Sequence, residues 1–66
     1  MAVLKVIEIL ANSGESWEDA AQNAVTEATK TVKNIRSVYV HDQSATVSNG
    51  KIDQYRVNVK ITFEVK

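Results

Sequence analysis

The residue types that support catalysis are few in this chain. It has one histidine, His41, and no cysteine, so nucleophilic chemistry would need His41 together with a serine. Ser37 precedes His41 by four residues on a segment with strand character, which separates them by roughly 13 Å. The two glycines, Gly14 and Gly50, occur in turn sequences and form no phosphate-binding loop. We therefore predict no catalytic residue and no enzyme activity.

Three carboxylates could supply oxygen ligands to a divalent cation. Glu8, Asp42 and Asp53 are acidic residues in or near predicted strands. Their spacing does not follow an EF-hand loop, the most specific sequence signature of a calcium site. We interpret them as solvated carboxylates, and the sequence assigns no metal ligand.

Two aromatic residues could stack on a planar ligand. Trp17 lies at the start of a predicted helix, on its apolar stripe, and we interpret it as a core or interface anchor. Tyr39 lies on the polar face of a predicted strand. From that position it could stack on a ligand or pack against a neighbour.

Length and charge exclude several classes of protein. Sixty-six residues make one domain, residues 1–66, whose own core is marginal, and no disulfide can staple it. Eight basic and eight acidic residues give a formal net charge of zero, which argues against a nucleic-acid partner. No apolar run approaches the roughly 20 residues of a membrane span, and no signal peptide opens the chain. We expect a soluble, cytoplasmic, oligomeric protein with no membrane partner.

The elements follow from hydrophobic periodicity. Residues 2–10 read as a strand with two largely apolar faces, a pattern that predicts cover on both sides. Ser16 to Ile35 has alanine and valine at three- and four-residue spacing and predicts an amphipathic helix, with Ser16 as its N-cap. Ser37 to Val47 and Tyr55 to Lys66 predict two further strands, and Asn49-Gly50 between them predicts a tight hairpin.

These elements predict an α+β fold of β-α-β-β order. Its three-stranded antiparallel sheet partly wraps around the one helix. We expect the helix to cover the strand face lined by apolar residues: Val38, Val40, Val57, Val59, Ile61 and Phe63. The opposite face carries mainly polar side chains: Ser37, Tyr39, His41, Arg56, Asn58, Lys60 and Thr62.

Four stretches resemble a known family over essentially the whole chain. They are KVIEIL at Lys5–Leu10, SWEDAAQNAV at Ser16–Val25, NIRSVYVHDQ at Asn34–Gln43 and YRVNVKITFEV at Tyr55–Val65. In order and spacing they resemble the dodecins. The helix start and the end of the last strand are the more specific parts, because they hold their spacing to each other.

The resemblance implies a shell and a ligand. Dodecins assemble as hollow dodecamers with the helices outside and the sheets lining the interior. Flavin-binding dodecins hold riboflavin, FMN or FAD in pairs at two-fold sites and are regarded as flavin buffers or storage proteins, not enzymes. In them a tryptophan early in the second strand stacks on the flavin ring, and a glutamine in the third strand hydrogen-bonds it.

This chain departs from the flavin-binding pattern at both positions. Ser37 stands where the stacking tryptophan is expected, and Arg56 stands where the glutamine is expected. Serine offers no π-face, and arginine donates hydrogen bonds but accepts none. Tyr39 and Gln54 lie on the same predicted faces and could partly substitute. The predicted ligand-binding residues are thus Ser37, Tyr39, Gln54 and Arg56, and we expect weak or altered flavin binding.

Three functions remain open from the sequence. The first is a homododecameric flavoprotein that binds or stores riboflavin, FMN or FAD. The second is a dodecin-like shell that has lost flavin and binds a cation such as calcium, or an anion. It resembles the branch of the family that lacks the stacking tryptophan. The third is a structural module that recruits a partner through a sheet edge.

Overall fold

The computed structural model describes residues 2–65 and has the predicted order of elements. Strand β1 spans Val3–Ser13, helix α1 spans Trp17–Ala28, strand β2 spans Ile35–Ser48 and strand β3 spans Lys51–Val65. The three strands form one antiparallel sheet. The predicted β-α-β-β fold is therefore confirmed.

Strand β3 lies at the centre of the sheet, in the order β1-β3-β2. The alternation of side chains divides the sheet into a helix face beneath α1 and an open face on the other side. The helix face of β3 carries Val57, Val59 and Ile61. The open face is set by the strand register. Its residues are Leu4, Val6, Glu8, Leu10 and Asn12 on β1; Ser37, Tyr39, Asp42, Ser44 and Thr46 on β2; and Gln54, Arg56, Asn58, Lys60, Thr62 and Glu64 on β3.

The core is formed by small residues of α1 against branched residues of β3. Its fully or nearly fully buried members are Ala20, Ala24, Ala28, Val57, Val59 and Ile61. Alanine has a short side chain, so the helix backbone can approach the sheet closely. Residues of β1 complete this core from one side, with Ile7, Ile9 and Ala11 partly buried against it.

The start of α1 matches its sequence signature. The Ser16 hydroxyl accepts a hydrogen bond from the Asp19 backbone N–H at 2.9 Å, as an N-cap does. The Asp19 carboxylate accepts a 2.6 Å bond from the Ser13 hydroxyl instead of reaching back to the cap backbone. Ser13 is the last residue of β1 and is buried, three residues beyond the predicted end of this strand at Leu10.

The end of α1 differs from the prediction. The helix stops at Ala28, seven residues before the predicted end at Ile35. Val32 and Ile35 therefore do not belong to its apolar stripe, and Lys30 and Lys33 lie beyond its last turn. Ile35 instead begins β2.

Local chemistry explains the early stop. The Thr29 hydroxyl donates a 2.6 Å bond to the Thr26 carbonyl, so a side chain replaces the backbone as partner at the last turn. The backbone of Lys30 and Thr31 then donates to carbonyls three residues back, which tightens the chain. Asn34 has φ of 64°, a left-handed conformation that asparagine tolerates and that turns the chain into β2.

The β2–β3 hairpin is confirmed at the predicted dipeptide. Asn49 and Gly50 have φ of 54° and 75°, so both central residues have the positive φ of a tight two-residue hairpin turn. Both strands are longer than their alternation indicated, since pairing continues up to Ser48 opposite Lys51. Lys66, the predicted end of the last strand, lies outside the described residues.

Within residues 2–65, no helix is long and apolar enough to cross a membrane.

Candidate functional site

The four predicted ligand-binding residues all lie on the open face, but one chain does not bring them together. Ser37 and Tyr39 lie near one end of the sheet, and Ser37 is paired with Thr62. Arg56 and Gln54 lie towards the hairpin end of β3. Six residues separate Thr62 from Arg56, a distance of roughly 20 Å along the strand. A ligand in contact with both pairs would need a second chain.

Arg56 and Gln54 are already engaged in the chain. The Arg56 Nε donates to Asn12 Oδ1 on β1 at 3.1 Å, and its guanidinium remains exposed. The Gln54 backbone N–H donates to the Thr46 hydroxyl at 3.1 Å. These contacts stabilise the sheet at its hairpin end. The Gln54 side chain and the terminal guanidinium nitrogens of Arg56 remain available to a ligand or a partner.

Tyr39 presents the only aromatic ring that the described residues place on the open face. It is exposed, and its ring lies 6.4 Å from the His41 ring at an interplanar angle of 63°. The two rings meet edge to face, so they do not form a stacked slot for a planar ligand.

A β-bulge in β2 adds a feature that sequence alternation did not show. The register shifts between Val40 and Asp42, so His41 is the extra residue and Asp42 stands opposite Asn58. The Asp42 carboxylate contacts His41 Nδ1 at 3.1 Å. Asn58 Oδ1 is buried and has no hydrogen-bond partner among the described residues. An amide oxygen and a carboxylate, both oxygen donors, thus occur at neighbouring positions of the open face.

The other carboxylates of the open face have basic neighbours. Glu64 accepts from Arg36 Nε and a terminal guanidinium nitrogen at 3.0 and 2.8 Å. Glu8 is the cross-strand partner of Lys60. Asp42 has a basic neighbour as well, because its carboxylate lies 3.1 Å from His41 Nδ1. Across residues 2–65, no three acidic or histidine side chains are grouped closely enough to hold a metal ion.

A groove of about 310 Å³ lies on the helix face, between α1 and β2. Its floor and walls are mainly apolar, formed by Trp17, Ala21, Val25, Val38 and Val40, and its polar rim is formed by Glu18, Gln22 and Gln43. The sequence predicted that the helix would cover Val38 and Val40. They remain 39% and 38% exposed, because α1 leans towards β1 and β3.

Trp17 is one of the residues that line this groove. Its ring packs edge to face on Tyr55 with the centroids 4.8 Å apart, and its Nε1 donates to the Ser44 carbonyl at 2.9 Å. These contacts connect α1 to both β3 and β2. Trp17 is thus an anchor within the chain, in line with the interpretation of its position in the sequence.

Comparison with known proteins identifies the family and two kinds of relative. Residues 3–66 match the Dodecin family. The chain is 42% identical over 67 residues to calcium dodecin from Mycobacterium tuberculosis, an alignment that covers 100% of this chain and 93% of that protein.

Solved structures show the same fold. A variant of the Thermus thermophilus dodecin is 26% identical, with 100% of this chain and 98% of that chain covered, and has a TM-score of 0.94. A crystal structure of M. tuberculosis calcium dodecin, described as having a novel calcium-binding site, is 40% identical, with 97% and 91% coverage and a TM-score of 0.83.

Proposed function

Since this chain belongs to the dodecin family, we propose that it is a self-assembling binding protein that holds calcium in preference to flavin. The observation that carries the proposal is its 42% identity, over the whole chain, to a calcium dodecin. The family otherwise offers flavin as a ligand. The choice between the two rests on the residues of the open face.

The open face supports an oxygen-ligated cation. Ca²⁺ prefers carboxylate and amide oxygens, and Asp42 and Asn58 place one of each at neighbouring positions. A calcium ion bound at Asn58 Oδ1 would give this buried oxygen the partner it lacks within residues 2–65.

The open face has little aromatic surface on which a flavin ring could stack. Ser37 has no ring, and Tyr39 is arranged edge to face with His41. Arg56 is bonded to Asn12, and its guanidinium has only donors to offer the flavin ring. We therefore place weak flavin binding second, as the activity of a degenerate family site.

Calcium binding by this face requires more than one copy of the chain. A calcium ion takes about six to eight oxygen ligands, and the two side chains of a single chain offer at most three oxygens at this position. Self-assembly would bring several open faces together. The apolar residues of β1 on that face support it, because Leu4, Val6 and Leu10 are each more than half exposed.

Titration calorimetry of the purified protein with CaCl₂ tests the proposal. We expect saturable binding with fewer than one calcium ion per chain, because each ion shares ligands from several copies. Asp42→Asn should weaken binding by roughly tenfold or more, since it removes a charged ligand. Asp53→Asn is the matched control, because it removes the same charge at the bulge near the hairpin tip.

Flavin is tested in parallel by quenching of FMN fluorescence. Weak quenching that Tyr39→Ala abolishes would support the second candidate. Tight FMN binding, together with no heat of binding in the CaCl₂ titration, would contradict the proposed preference for calcium over flavin. Equal loss of calcium affinity in the Asp42 and Asp53 variants would show a general charge effect and would exclude the Asp42 site.

A further inference from the structure

Arg56 and Lys60, the two basic residues of the open face, differ in the charge of their neighbours. Lys60 stands opposite the acidic Glu8 on β1, whereas Arg56 stands between the uncharged Asn12 on β1 and Ser44 on β2. Arg56 is exposed, and within residues 2–65 it forms no ion pair. Its positive charge is therefore available to attract an anion from solution.

A hydrogen bond fixes the direction of the Arg56 guanidinium. Its Nε donates to Asn12 Oδ1 at 3.1 Å, and this contact leaves both terminal nitrogens with their N–H groups for another partner. Asn12 is itself held to α1, because its carbonyl accepts a bond from Asn23 Nδ2 at 3.2 Å. The guanidinium therefore presents two adjacent donors whose position is set before a ligand arrives, which lowers the cost of binding.

The neighbours of Arg56 add further hydrogen-bond donors. Ser44 is its cross-strand partner, so their Cβ atoms are about 4.5–5.5 Å apart, and the Ser44 side chain is exposed. The backbone of Ser44 is held by the 2.9 Å bond from Trp17 Nε1 to its carbonyl. Gln54 lies on the same face, roughly 7 Å along the strand from Arg56, and adds a side-chain amide. A guanidinium, a hydroxyl and an amide are thus grouped at this position.

These donors suit a phosphate group. A guanidinium with two free terminal nitrogens binds two oxygens of a phosphate or carboxylate at once. Phosphate has a third oxygen for the Ser44 hydroxyl, which a carboxylate lacks. The nearest carboxylates along β2 and β3 belong to Asp42 and Asp53, and neither forms an ion pair with Arg56. The two terminal nitrogens of Arg56 are therefore not occupied by an acidic side chain of the described residues.

We propose that Arg56, with Ser44 and Gln54, binds a phosphate group at the hairpin end of the open face. Inorganic phosphate and a phosphate monoester such as FMN carry the same group, and a comparison of FMN with riboflavin separates these two sources. The inference does not depend on calcium, because the phosphate position lies one cross-strand row away from Asp42 and Asn58.

Equilibrium dialysis of the calcium-free protein against radiolabelled inorganic phosphate tests the site. We expect saturable binding that Arg56→Gln weakens by about tenfold or more, because charge-assisted hydrogen bonds are lost. Lys60→Gln is the matched control, since it removes the same charge from the same strand and face. Equal losses of affinity in the two variants, or no saturable binding by the wild-type protein, would overturn the proposed site.

Two further variants separate the geometry of Arg56 from its charge. Arg56→Lys keeps the charge but loses the paired donors, so phosphate affinity should fall by about threefold or more. Asn12→Ala keeps the charge and removes the acceptor that orients the guanidinium, so it should also weaken binding, by less than Arg56→Gln. Both variants keep the test decisive if Arg56→Gln does not fold. Unchanged phosphate affinity in both would contradict the two-nitrogen contact and overturn the proposal.

FMN and riboflavin differ by one phosphate group and so identify the source of the ligand. If that source is a flavin phosphate, wild-type protein should bind FMN more tightly than riboflavin, and Arg56→Gln should remove the difference. If wild-type protein binds inorganic phosphate but does not distinguish the two flavins, the ligand is free phosphate. Quenching of flavin fluorescence measures both affinities.

Asp42→Asn distinguishes this inference from the proposed function, because it should change the two affinities in opposite directions. Phosphate affinity should rise about twofold, since a negative charge roughly 7–8 Å from Arg56 is removed, whereas calcium affinity should fall. Phosphate binding without calcium binding would overturn the calcium proposal alone. Calcium binding without saturable phosphate binding would overturn the phosphate site alone.

Discussion

The two sides of helix α1 differ in how well they are covered. On the side towards β1 and β3, the alanines of α1 pack against Val57, Val59 and Ile61, which are fully buried. Towards β2, it leaves Val38 and Val40 more than one third exposed and a groove beside them. A chain of this size concentrates its packing on one side. We infer that the other side carries apolar surface for contacts between copies.

The largest expected effect is at the packed side. Ile61→Ala should lower the free energy of unfolding by about 2–5 kcal/mol, because it opens a cavity in the core. Val38→Ala, at the cross-strand partner of Ile61, should cost under about 1 kcal/mol in the monomer. Urea unfolding of the dilute protein measures both. Equal losses would show that the groove side is as well packed as the core.

Varying the protein concentration gives a second test of the difference between the two sides of α1. If the groove is filled by a second copy, the cost of Val38→Ala should grow as the protein assembles, while that of Ile61→Ala should change little. The unfolding midpoints of both variants are compared with wild type at low and high protein concentration. A cost of Val38→Ala that is independent of concentration would contradict docking in the groove.

Larger side chains on α1 should give the next largest loss of stability. Ala24→Leu adds a large side chain where the helix contacts the sheet and should destabilise the fold by about 1–3 kcal/mol. Ala21→Leu adds the same atoms towards the groove, where there is room, and should leave monomer stability nearly unchanged. Thermal unfolding of the two variants at low concentration makes the comparison, and a reversed order would contradict the described packing.

The smallest expected loss of stability concerns the hydrogen bond between Trp17 of α1 and the Ser44 carbonyl of β2. Trp17→Phe keeps an aromatic ring against Tyr55 but removes the hydrogen bond to the Ser44 carbonyl, at a cost of about 0.5–1.5 kcal/mol. Amide hydrogen exchange should accelerate in residues 43–46 more than in the β1–β3 pairing. Uniform acceleration across the sheet would argue that Trp17 serves the core as a whole.

Much of this protein follows from local patterns in the sequence. Alternation predicted the strands, Asn49-Gly50 predicted the hairpin, and Ser16 predicted the start of the helix; all three are confirmed. Each depends on residues close together in the chain, whose conformational preferences act before any distant contact forms. The resemblance to the dodecins is confirmed as family membership.

The candidate site depends on contacts that no local pattern contains. The central place of β3 and the bulge that sets Asp42 opposite Asn58 arise from pairing between distant strands. The end of the helix at Ala28 is an exception, because local hydrogen bonds of Thr29, Lys30 and Thr31 set it, although the apolar periodicity did not indicate it. Helix α1 lies closer to β1 and β3 than to β2 because its side chains pack against residues of those two strands. Sequence alone therefore determined the elements and their order, whereas tertiary structure decided which surfaces they leave open, because surfaces are defined by what packs against them.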